Sequence, residues 1–124
     1  MNSTGTGTLG RAQIFNIHND SVYMADSHVS VLRSETVLPE VLQYYFFDDN
    51  NQAELNYRCV FGSTSQDELS KDALGRMPFP IIPMEQQEKF ALFVRQANIL
   101  KEKLKLSLEC LNMVYKSIVT ENLD

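Results

Sequence analysis

Tryptophan is absent from this 124-residue chain, and glycine, proline, cysteine and histidine are scarce at five, four, two and two. So few glycines and prolines, with no low-complexity tract, exclude collagen-like and bulk-disordered classes. No apolar run approaches the ~18 residues that would span a bilayer. Residues 1–10 lack both the basic start and the apolar segment of a secretory signal, so a cytoplasmic protein with no membrane role is expected. Cys59 and Cys110 form no C-x-x-C and have no histidine nearby to complete a zinc site; both are expected to be buried free thiols. Positive charge is also short. Lys+Arg 11 against Asp+Glu 16 gives a net charge of -5, the wrong sign for a nonspecific DNA binder.

What is present suffices for one core: 44% hydrophobic and 22% charged residues. Residues 1–83 hold five basic groups (Arg11, Arg33, Arg58, Lys71, Arg76) and ten acidic ones, and residues 84–124 hold six of each. The whole excess therefore lies before Pro83. From Met84 onward there is neither glycine nor proline, and the composition turns to good helix formers. Apolar residues recur at Phe93, Ala97, Leu100, Leu104, Leu108, Leu111, Tyr115 and Ile118, seven steps over 25 residues or 3.57 per step, the period of one helix face. Glu85 and Glu88 near the start and Lys116 near the end suit the helix dipole. A helix of this length reaches roughly 50 Å, farther than an 83-residue domain can cover, so part of the stripe needs a partner helix. Two copies are expected to pair antiparallel as a homodimer, with a two-fold axis near Leu104 to Leu108.

The first part reads as mixed structure. Residues 12–17, 21–25 and 28–33 alternate apolar and polar side chains between turns at Asn19-Asp20 and Asp26-Ser27, and predict strands. Pro39 to Phe47 predicts a short helix ended by Asp48-Asp49-Asn50-Asn51. Ala53 to Phe61 suits a helix or a strand, with helix preferred. Ser65 and Glu68 have capping-box spacing for a helical turn over Gln66 to Ala73. Met77 to Ile82, with two prolines, fits an edge strand. The fold class is α+β: a small mixed domain over 1–83, then one long helix over 84–124 that pairs as a coiled coil.

Chemistry-bearing motifs are few. Gly5-Thr-Gly-Thr-Leu-Gly10 matches G-x-G-x-x-G, but only four residues precede it and strand follows it, so a tight turn is expected and not a dinucleotide site. His18 and His28 lack metal spacing, and Ser27 beside His28 has neither nucleophile elbow nor third member. No catalytic residue, metal, nucleotide or other cofactor is expected.

In order along the chain come Asn2-Ser-Thr-Gly-Thr-Gly-Thr-Leu-Gly-Arg11, Asp26-Ser-His-Val-Ser-Val-Leu-Arg33 and Gly62-Ser-Thr-Ser-Gln66. Phe79-Pro-Ile-Ile-Pro83 and Glu85-Gln-Gln87, opening the helix, complete the series. This order resembles the DNA specificity subunit of type I restriction-modification systems, in which a target-recognition domain is followed by a Pro-x-x-Glu-Gln segment opening a long conserved helix. Pro83-Met-Glu-Gln86 lines up with that segment one residue short. The usual family polypeptide has two recognition domains and two helices, so this chain resembles a truncated half whose recognition domain begins midway.

The resemblance implies a non-catalytic binding module. Its recognition domain would read half of a bipartite site in double-stranded DNA, and its helix would act as a spacer and dock methyltransferase and restriction subunits. The DNA contacts it implies fall on loop residues Thr6, Thr8 and Arg11, with Ser63, Thr64 and Gln66 behind them. The rival expectation is a structural remnant that dimerises through the helix without binding DNA; the net charge favours it, and the basic and hydroxyl loop residues oppose it.

Overall fold

The computed structural model describes residues 1–5, 9–63 and 66–123 of the chain. In order, the elements are α1 (Pro39–Phe47), α2 (Asp49–Cys59), β1 (Val60–Ser63), β2 (Gln66–Leu69), α3 (Lys71–Gly75) and α4 (Met84–Glu121). The architecture is α+β. The chain divides into two units, Met1–Glu88 and the rest of α4 from Lys89. Among the described residues no helix is long and apolar enough to cross a membrane.

Helix α1 starts where expected, with Pro39 in its first turn, where a missing N–H costs nothing. The acidic run after it does more than end it. The Asp48 carboxylate accepts from the backbone N–H groups of Asn50 and Asn51 at 3.0 and 3.1 Å, so the residue that closes α1 is the N-cap of α2. On α2, Leu55 and Cys59 lie one helical turn apart and are fully buried. They meet Met1, Leu9, Phe46, Leu69 and Leu74 in the core of the first unit. Burial pushes the Cys59 thiol up, against the smaller opposing pull of Arg58. Cys110, expected to be buried, is exposed on α4.

The strands are not where alternation placed them. Val60–Ser63 and Gln66–Leu69 form an antiparallel hairpin in the register Val60↔Leu69 to Ser63↔Gln66. This replaces the end of the helix expected through Phe61 and the turn of helix expected from Gln66. The helical turn comes later, at α3, capped by Ser70, whose hydroxyl accepts from the Ala73 N–H at 3.3 Å. The expected Ser65 cap lies outside the described residues.

Residues 1–4 run alongside the hairpin. Asn2 bridges Val29 on one side and Thr4 bridges Glu68 on the other, both antiparallel. The Leu69 N–H donates to the Ser3 carbonyl at 2.9 Å, and the Ser3 N–H to that of His28 at 2.9 Å. The lateral order is thus 28–30, 1–4, β2, β1. Of the strand expected over 28–33, only this short bridged stretch forms.

Residues 12–17 and 21–25 form no strand. Among the described residues no backbone N–H from 12 to 25 meets a backbone carbonyl. Val22 and Met24 are each 93% exposed. Local bonds hold this segment instead: the Asn19 side chain accepts from the Ser21 N–H and donates to the Tyr23 hydroxyl, and the Tyr23 ring packs edge-on against Phe15. Alternation marks a strand only where a neighbouring strand accepts its hydrogen bonds, and none does here. Likewise no strand forms at Met77 to Ile82. Pro78 and Pro80 remove ladder donors, and Phe79 stacks on Tyr45 of α1 at 4.6 Å between ring centroids.

Candidate nucleic-acid interface

Gly5 and Gly10 both take positive φ, 104° and 80°, which only glycine adopts without strain. Asn2 pairs with residues 10 and 11: its N–H donates to the Arg11 carbonyl, and the Gly10 N–H donates to its carbonyl. A Cβ on Gly10 would lie 2.5 Å from Cδ2 of Leu55, and Gln52 of α2 clasps the turn by donating to the carbonyls of Gly10 and Phe46. Gly10→Ala therefore combines backbone strain with overpacking, and is expected to cost about 2–4 kcal/mol, read as a lowered urea midpoint. An unchanged midpoint would show that the turn is not clasped in this way.

Arg11 leaves this turn exposed to solvent and lines a cleft of about 540 Å³. Asp49, Gln52 and Asn56 of α2, Phe47 of α1, and Val60 and Asp67 of the hairpin share it. One cation against two carboxylates makes it a poor phosphate site. An arginine fork, a carboxamide and an aromatic ring suit instead a planar group with hydrogen-bonding edges. A Cβ added to Gly62 beside it would meet the Asp67 carboxylate, the far end of an exposed side chain that would have to turn aside.

The Asp26-Ser-His segment forms a turn, not a triad. The Ser27 hydroxyl and the His28 N–H both donate to the Asp26 carboxylate, and the Ser27 bond in particular lowers the pKa of that carboxyl. His28 Nδ1 lies 2.7 Å from the Thr4 hydroxyl, tying this turn to the glycine segment. His18 meets Asn16. Among the described residues no three His, Cys, Asp or Glu side chains gather as a metal site.

Of the six expected contact residues, Arg11 lines the cleft, and Ser63 and Gln66 pair at the far end of the hairpin. Thr6, Thr8 and Thr64 lie outside the described residues. Residues 2–4 bridge Val29 of the second motif and Glu68 of the hairpin, two residues beyond the third motif at Gly62–Gln66. Spacing alone left Phe47, Asn56 and Asp67 unseen, because they reach the cleft from three separate elements.

Gln87 is the other residue that spacing missed. It is only 2% exposed. Its amide nitrogen donates to the carbonyls of Thr36 and Ile82 at 3.0 and 2.9 Å, and its oxygen accepts from the Leu38 N–H at 2.9 Å. One side chain thus fastens the entry to α1 and the proline-rich segment to the first turns of α4, all within the first unit.

The eight stripe residues from Phe93 to Ile118 are all exposed, Leu104 and Leu108 at 62% and 59%. Comparison with protein-family models, with curated proteins and with solved structures found no match to this chain.

Proposed function

We propose that the chain is the non-catalytic DNA-specificity component of a type I restriction-modification system, acting in the cytoplasm. It reads one half of a bipartite site through the cleft at Arg11 and docks the methyltransferase and restriction subunits through α4. The Gln87 clasp carries this reading. The family segment Pro-x-x-Glu-Gln puts its glutamine four residues after the proline, where Gln87 stands; in that register Gln86 takes the place of the family's glutamate, and the chain's own Glu85-Gln86 pair falls one residue early. A spacer helix must be built into the unit that reads the DNA, and this glutamine bonds three segments of that unit at once. The joining of the glycine segment, the Asp26 turn and the hairpin into one bridged array is further support.

With so acidic a first unit, the chain alone should bind random duplex DNA weakly and with steep salt dependence, and should gain sequence-specific affinity only alongside the methyltransferase. Arg11→Ala is expected to weaken DNA binding by the assembled complex by about 1–3 kcal/mol if the arginine meets a base edge, and less if it meets a phosphate. Equal binding and methylation by both forms would remove Arg11 from the contact. The second reading is a remnant that dimerises through α4 and binds no DNA, and the two carboxylates in the Arg11 cleft favour it. Failure to assemble with any type I methyltransferase would decide for it.

A further inference from the structure

The apolar stripe of α4 is bordered at its middle by charge of one sign, on both sides. At ~100° per residue its eight members fall within an arc of about 80°. Lys101 and Lys105 flank its middle on one side and Lys103 on the other. Among the described residues the border acids are Glu85 and Glu121, in the first and last turns of α4 and away from the middle of the stripe; Glu102 and Glu109 project from the far side. All three lysines are exposed, and among the described residues none pairs with a carboxylate.

We infer that this face is built for an amphipathic helix of another protein whose apolar stripe is bordered by Asp and Glu. This names the partner chemistry for the docking role proposed above and is independent of whether the first unit reads DNA. Charge complementarity selects this occupant over the other two. A second copy, paired about an axis near Leu104 to Leu108, brings twice three lysines to the middle of the interface with no acid among them, and Lys105 faces its own counterpart. An anionic lipid surface would match the lysines, but it buries only one side of a helix. Here Leu92, Ile99, Leu106 and Met113, exposed at heptad spacing, would be left in water on the opposite side. A partner whose docking helix belongs to a bundle brings further helices for that side, which a bilayer does not.

The test uses the full chain, labelled and at nanomolar concentration, with two synthetic helices sharing one leucine stripe and differing only in Glu or Lys at the border positions. The Glu helix is expected to bind about tenfold more tightly at low salt. The difference should vanish near 1 M salt, where the Debye length is ~3 Å. Lys101→Glu, Lys103→Glu and Lys105→Glu combined should reverse the order, with helix content checked by circular dichroism; the comparison on the unaltered chain stands without this variant. Equal binding of the two helices, or of neither, overturns the inference. So does tighter capture by phosphatidylglycerol vesicles than by the Glu helix, which would assign the face to lipid. Loss of DNA binding in the assembled complex would leave this result unchanged, so the two readings fail separately.

Discussion

Gln87→Leu is expected to destabilise the first unit by about 2–4 kcal/mol, among the largest effects open to a polar side chain here. Leucine fits the volume but bonds nothing. It leaves the Leu38 N–H and the carbonyls of Thr36 and Ile82 without their partner. Each buried polar group stripped of its bond costs ~1–3 kcal/mol, and the total falls short of three full penalties because Thr36 is exposed and its carbonyl can turn to water. Gln87→Glu gives a sharper result. Glutamate keeps an acceptor for Leu38 but sets a carboxylate oxygen against two carbonyls, and only the protonated acid can donate to one of them. Its folded-state pKa must therefore lie above the ordinary ~4.3. A raised pKa contributes stability that is complete below the unfolded value and is lost as pH rises through the folded one. The urea midpoint of Gln87→Glu should approach that of the unaltered chain near pH 4 and fall away above it. A gap independent of pH would mean that the carboxylate escapes to solvent and the clasp is dispensable.

Legibility followed the range of the interactions that decide each element. Helix α4 and α1 are set by local periodicity, by the absence of Gly and Pro, and by Pro39, and both were readable. That the eight stripe residues share one face follows from the same periodicity. The hairpin was not, because Gln66 to Leu69 takes its conformation from pairing with Val60 to Ser63 and with Thr4, more than sixty residues earlier. Conversely, the alternating segments at 12–17 and 21–25 had the composition of strands and, among the described residues, no strand to pair with. In the candidate site, Arg11 stood out as a cation beside a glycine turn. Asn56 and Asp67, on different elements, carried no signal until the chain folded. Gln86 and Gln87 are indistinguishable as letters in a helix; only the burial of the second separates them.

The second large effect concerns α4. In the absence of a partner, two copies are expected to associate through the stripe, since eight exposed apolar side chains on one face are more than a solvated helix retains. The lysine border opposes this. Raising the salt should therefore strengthen the dimer by screening Lys101, Lys103 and Lys105 from their counterparts, the reverse of what an interface of opposite charges would show. Leu104→Glu with Leu108→Glu places four carboxylates at the centre of the pair, two from each copy, and removes four leucines that each contribute ~1.5–3 kcal/mol on burial. Association should weaken by at least about a thousandfold, which sedimentation would read as a monomer at every accessible concentration. The first unit should keep its urea midpoint, because both leucines lie outside it. If the unaltered chain sediments as a monomer at tens of micromolar at both low and high salt, the stripe does not pair with itself. If the double variant still dimerises, the contact lies elsewhere, and the unpaired segment from 12 to 25 becomes the place to look.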